Sequence, residues 1–248
     1  MPSALPIEKK LANSMSKSAP IVLALDTSDL ATALDWVQAT HGIIPVYKLG
    51  LEFYLNFGHD GVRAIADSTD AGIFLDLKLH DIPQTVKGAA RAISNLNPRY
   101  LTVHASGGQS MVRSAVDSLE NTKVTGVTIL TSLSESDVSE VGYGQNALES
   151  AVRLAKVAVA GGARAIVCSP LEIVEIRKSI GLEIEIITPG VRPEDSQGTD
   201  DQIRTMTPRE ALDRGANLVV IGRPITSTWA NGAQAMRERA EQIASGIL

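Results

Sequence analysis

The chain has 248 residues, 44% of them hydrophobic, and a formal net charge of −5. That length fits one large domain or two small ones, with enough apolar content for a packed core. The acidic balance argues against a nucleic-acid backbone as the main partner, which needs clustered positive charge, and the single cysteine, Cys168, excludes an intramolecular disulfide or a multi-thiolate metal site.

Residues 1–20 mix Glu8, Lys9, Lys10 and Lys17 with small polar residues and lack the continuous apolar core of a signal peptide. They read as a solvated N-terminal extension ahead of one domain over 21–248. No apolar run approaches the ~20 residues a membrane-spanning helix needs, so no membrane partner and a cytoplasmic location are expected. Short apolar runs recur at 21–26, 46–50, 73–78, 100–104, 123–130, 165–168, 184–188 and 218–222. Most lack polar alternation, which means burial on both faces and hence a parallel sheet covered by helices.

Helical patterns lie between the runs. Thr27 and Ser28 offer a cap ahead of the stripe Leu30, Ala33, Leu34 and Val37. Val86, Ala90 and Ile93 form the next stripe, followed by Met111, Val112, Ala115, Val116 and Leu119, then by Leu148, Val152, Ala155 and Val159. Thr207 as cap, Pro208 at the first helical position and Gly215 past the end delimit a short helix that turns Ala211 and Leu212 inward. Eight strand-helix units in a chain of this length predict a (β/α)8 TIM barrel with a parallel eight-stranded core. An open doubly wound sheet would carry a Gly-rich turn after an early strand, and Asp26-Thr27-Ser28-Asp29 is nothing like one.

In a barrel the chemistry sits at the carboxyl ends of the strands, and this chain puts its charges there. Asp26 ends the first run, Lys48 lies near the end of the second, Asp76 and Lys78 end the third, and Asp81 opens the following loop. Asp76 and Lys78, two apart, would share a strand face. One such acid is ordinarily a helix cap and one such lysine a snorkelling surface residue, but a rim of alternating charge asks for a ligand. Loops seven and eight, the usual phosphate site of such barrels, carry Thr188-Pro189-Gly190-Val191-Arg192-Pro193 and Ile221-Gly222-Arg223-Pro224. Gly190 and Gly222 would allow close backbone approach, and Arg192 and Arg223 would grip phosphate oxygens. Residues 194–201 suit a lid over that phosphate, with Gln202, or alternatively Gln197, as its donor.

The string DLKLHDIPQT, with Asp26 in ALD, Lys48 in YKLG, His104 in VHASGG, Thr131 in LTS, TPGVRP and VIGRPIT, resembles the orotidine 5'-monophosphate decarboxylase family over essentially the whole barrel. The resemblance implies a homodimeric enzyme without metal or cofactor, acting on a nucleotide in UMP synthesis. In it Lys78 would donate the proton, Asp76 would lie beside the substrate carboxylate, Lys48 would contact ribose and the carboxylates, and Asp26 the ribose hydroxyls. Asp81, Ile82 and Thr85 would reach across a dimer interface. Thr131 or Ser132 would meet the pyrimidine, with Pro189 in the substrate loop and Arg192, Gln202, Gly222 and Arg223 on the phosphate.

Three rivals remain. A metal-dependent sugar-phosphate decarboxylase or synthase of the same barrel group would want a carboxylate where Lys48 stands. A Schiff-base aldolase would need Lys78 neutral, whereas flanking carboxylates favour its charged form. A non-catalytic nucleotide-phosphate-binding barrel would have no use for Lys78 between acids. Cys168 reads as a buried strand residue; His80 and His104 read equally as orienting groups or as ordinary rim hydrogen-bonders.

Overall fold

The computed structural model describes residues 19–193, 195 and 206–248. Eight strands appear where the apolar runs place them: β1 (Ile21–Ala24), β2 (Val46–Leu49), β3 (Gly72–Leu79), β4 (Tyr100–His104), β5 (Lys123–Val127), β6 (Ala165–Val167), β7 (Glu185–Thr188) and β8 (Leu218–Ile221). They pair in parallel in chain order, and β8 returns to β1 to close an eight-stranded barrel. The N-terminal extension expected over residues 1–20, except its last two residues, lies outside the described residues.

Ten α-helices are described: α1 (Leu30–Ala39), α2 (Leu51–Asp67), α3 (Pro83–Ile93), α4 (Gly108–Val116), α5 (Glu135–Glu140), α6 (Ala147–Ala160), α7 (Ile173–Ile180), α8 (Pro208–Asp213), α9 (Arg223–Thr226) and α10 (Ala233–Ile247). Helix α3 buries Val86, Ala90 and Ile93, the stripe read from the sequence. Helix α8 has the expected Thr207 cap, strengthened into a capping box by Glu210, with Pro208 opening the helix and Gly215 at φ 107 beyond its end. Trp36 is buried and Trp229 packs partly buried against the core.

Two local expectations are corrected. The cap of α1 is Asp29, whose carboxylate accepts from the Thr32 N–H at 3.0 Å; Thr27 instead accepts from the Asp29 N–H. The buried face of α6 is Ala147, Ala151, Leu154, Ala155 and Ala158, so of the expected stripe only Ala155 points fully inward, while Leu148 is exposed. The reason is close approach. A Cβ added at Gly126 of β5 would stand 2.4 Å from the Ala158 Cβ, so the helix lies on the barrel through its small residues and keeps its larger ones at the flank.

Inside the barrel, Val22, Val46, Phe74, Tyr100, Ala165, Ile187 and Leu218 form one apolar cluster. At the amino-terminal mouth the Tyr100 hydroxyl donates to Glu185 Oε2 at 2.8 Å, and Lys123 Nζ donates to Glu185 Oε1 at 2.6 Å. That satisfied polar plug and the cluster above it close the bottom, leaving the opposite mouth as the place for a ligand.

Candidate active site

Along β3 the pattern carries Phe74 into the apolar cluster, and two residues later Asp76 emerges above it. Asp76 Oδ2 accepts from Lys78 Nζ at 2.8 Å and stands 3.7 Å from Lys48 Nζ on the neighbouring β2. Lys48 in turn reaches Asp26 Oδ1, just past β1, at 3.2 Å. The alternating series is thus a continuous chain: Asp26, Lys48, Asp76, Lys78. Its inner members are enclosed, with the Asp76 side chain 13% and that of Lys48 12% exposed, whereas Asp26 is open to solvent at 60%. Burial would raise the Asp76 carboxyl, but Lys48 and Lys78, with the hydrogen bonds from Lys78 and Thr102, outweigh it and hold the group below its ordinary value.

The backbone route to the Asp76–Lys78 contact is not the regular strand that spacing suggests. The β3–β4 register breaks between Leu75 and Leu79, and Lys78 has φ 47, a left-handed conformation uncommon for a non-glycine residue. Thr102 of β4, fully buried, accepts from the Lys78 N–H at 2.8 Å and donates to Asp76 Oδ1 at 3.0 Å. Sequence reasoning passed over Thr102. Only the register of the folded sheet singles it out: Phe74 pairs with Tyr100, so two residues onward Thr102 stands level with Asp76.

The charge chain lines one side of a cavity of about 380 Å3 at the carboxyl mouth. Pro189, Gly190, Arg192, Gly222 and Arg223 line it from loops seven and eight, and Thr131 and Ser132 from the loop after β5. Lys78 therefore faces the same space as both arginines. Arg192 is buried, with its N–H held by Met206 O at 2.9 Å and its Nη1 donating to Val191 O at 2.8 Å; Arg223 is exposed and opens α9. Gly190 turns its loop at φ 74. An apolar wall of Val127, Ile129, Leu130 and Val167 completes the cavity, suited to the face of a flat ring and unremarked in the sequence except as strand.

Three expected residues lie elsewhere. Asp81, Ile82 and Thr85 are exposed, and the Asp81 carboxylate accepts from the Ile82 N–H at 2.6 Å. No ion pair joins Asp81 to Lys78 within the chain, so among the described residues the lysine is paired with Asp76 and is not held between Asp76 and Asp81. Gln202, Gln197 and all of the lid stretch 194–201 except Asp195 fall outside the described residues.

The two histidines, His80 and His104, meet at a tilt of 35° with ring centroids 5.2 Å apart. Burial, then the charges of His80 and Lys78, lower His104 against the opposing pull of Asp76. Cys168 borders the cavity, but burial and the Glu172 carboxylate push its thiol far up, which makes it an inert wall. Among the described residues no three His, Cys, Asp or Glu side chains converge as a metal-ligand set. The mouth acids are interleaved with ammonium groups instead.

Comparison with known proteins identifies the family and agrees with the closed barrel. The family model described as Orotidine 5'-phosphate decarboxylase / HUMPS family matches residues 19–238. An orotidine 5'-phosphate decarboxylase of Thermobifida fusca is 47% identical over 230 residues, covering 92% of this chain and 98% of the relative. Another from Frankia casuarinae is 42% identical over 92% of this chain and 88% of its own length. The crystal structure of orotidine 5'-phosphate decarboxylase from Lactobacillus acidophilus superposes with a TM-score of 0.76 at 32% identity, covering 92% of this chain and 99% of that one. A closed barrel with this charge chain at its mouth, matched by sequence from the first strand into the last helix, belongs to the orotidine 5'-phosphate decarboxylase / HUMPS family.

Proposed function

We propose that the chain converts orotidine 5'-monophosphate to UMP without metal or cofactor, with Lys78 as the proton donor. The carboxy-lyase reaction itself, a step of pyrimidine biosynthesis, is what family membership assigns to it. One observation carries the mechanistic reading: the Lys78 ammonium is held 2.8 Å from Asp76 in the same cavity that Arg192 and Arg223 line.

Loss of carbon dioxide from C6 of the pyrimidine leaves a carbanion that no ring position delocalises well. Its stabilisation must then be electrostatic. An ammonium about 4 Å from the developing anion contributes about 4 kcal/mol at an effective dielectric of 20, one contribution to a barrier reduction that enzymes typically bring to about 8–23 kcal/mol. Asp76, ionised and anchored, keeps the Lys78 side chain aimed, so the same group shields the carbanion and then protonates it. Lys48 and Asp26 serve the ribose, Thr131 or Ser132 the pyrimidine, and Pro189, Arg192, Gly222 and Arg223 the phosphate end, whose binding energy organises the site. Gln202, or Gln197, completes that grip. A metal is disfavoured by the pairing already present, because Lys48 lies against both Asp26 and Asp76 and would repel a cation there.

The active species in this reading is a cytoplasmic homodimer, with Asp81, Ile82 and Thr85 of each subunit completing the neighbour's site. Ile82 is 66% exposed and Leu55 80%, apolar area that a second subunit would cover. Among the described residues no helix is long and apolar enough to cross a membrane.

The test is the ultraviolet absorbance of orotidine monophosphate on adding purified protein, with and without excess EDTA. Decarboxylation unaffected by the chelator is expected. Lys78→Ala should abolish turnover while UMP still binds; near-normal turnover in that variant removes Lys78 from the chemistry, and loss of activity in EDTA points to a metal-dependent reaction.

A further inference from the structure

We infer that Thr102 is a positioning residue for the reaction: its hydroxyl locks the β3 bulge so that the Lys78 ammonium and the Asp76 carboxylate face the substrate in one fixed arrangement. The inference rests on the decarboxylase reading and goes beyond it, since Thr102 neither lines the cavity nor carries charge.

The hydrogen-bond directions leave the hydroxyl no choice. The Lys78 backbone N–H can only donate, so at 2.8 Å the Thr102 oxygen must accept it. The single hydroxyl proton then goes to Asp76 Oδ1 at 3.0 Å, which requires that oxygen to be an acceptor. Asp76 Oδ2 takes the Lys78 ammonium at 2.8 Å. The result is a closed circuit in which one hydroxyl ties the backbone of the lysine to the carboxylate that holds its side chain. It is needed because the register break takes Lys78 out of the β3–β4 ladder and φ 47 puts it in a left-handed conformation that is unfavourable for an L-residue. Thr102 is wholly buried, so no solvent stands ready to replace its hydroxyl.

Thr102→Val keeps the shape and removes both hydrogen bonds; Thr102→Ser keeps both. The Val variant is expected to lose 10- to 100-fold in kcat, with KM for the nucleotide changed less than threefold and UMP affinity unchanged, while Ser restores kcat to within about threefold. The acidic limb of the pH–rate profile should move to higher pH in the Val variant, since Asp76 loses one bond that favours its ionised form while Lys48 of β2, Lys78, and His104 beside them on β4 stay in place. Should Val prevent folding, Thr102→Ala removes the hydroxyl without adding bulk and is judged by the same criteria. A folded Val or Ala variant with wild-type kcat and pH profile, or a Ser variant as impaired as Val, overturns the inference. Failure of the underlying reading is separate: Lys78→Ala would then remain active, or the wild-type chain would not decarboxylate the nucleotide.

Discussion

At the scale of single residues, the mouth carries two lysines and two arginines around one cavity. Lys48 and Lys78 are committed to carboxylates, and their positions are set within the barrel. Arg223 is exposed at the start of α9 and lines the cavity from loop eight. A group so placed contributes by meeting the anion when it arrives, through a charge-assisted hydrogen bond worth about 1.5–3 kcal/mol. Arg223→Ala should therefore raise KM for the nucleotide about 10- to 100-fold and erase most of its advantage over the phosphate-free nucleoside, measured by comparing kcat/KM for the two. An unchanged preference for the phosphorylated substrate would take loop eight out of the phosphate site.

At the scale of elements, β3 differs from its neighbours in serving two purposes. Its first half is an ordinary barrel strand, with Phe74 in the interior cluster, and its second half breaks register to present the acid and the amine. Strain there must be supported by rigid surroundings, and the close seating of helices on the barrel supplies them. Helix α6 on β5 is one such case, resting through Ala158 on Gly126. Gly126→Ala should cost about 1–3 kcal/mol in urea unfolding, because the new methyl meets the Ala158 Cβ at a distance no real contact allows. Ala158→Gly in the same chain should recover part of that loss despite glycine's poorer helix propensity. Simple additivity of the two changes would show that the contact is not what seats the helix.

At the scale of the whole molecule, the proposed dimer has a consequence that one chain alone cannot show. If Asp81 serves the neighbouring site, a mixed dimer of one Lys78→Ala and one Asp81→Asn subunit contains one site with both lesions and one with neither. Equal mixing with free exchange should then restore about a quarter of wild-type activity from two inactive preparations. Continued inactivity after exchange, established by light scattering and a tag on one subunit, would place Asp81 in its own chain's function.

How far the sequence reaches can be read from particular positions. It sufficed for the eight strands, because runs such as Ile21 to Ala24 and Leu218 to Ile221 are apolar on both faces and only a covered parallel sheet buries them that way. It also sufficed to mark the rim, since Asp26, Lys48, Asp76 and Lys78 are charges at strand ends, legible one strand at a time. It did not reveal the turned face of α6, whose Ala158 comes in against Gly126, or the Tyr100–Glu185–Lys123 plug, whose members come from three separate strands. Thr102 is the clearest case. Nothing near it in the chain distinguishes it, and its meaning arises only when closure of the barrel brings β4 beside a broken β3. Periodicity and spacing are local quantities that the chain carries with it, whereas register, close approach and shared hydrogen bonds are set by packing between distant segments and exist only in the folded molecule.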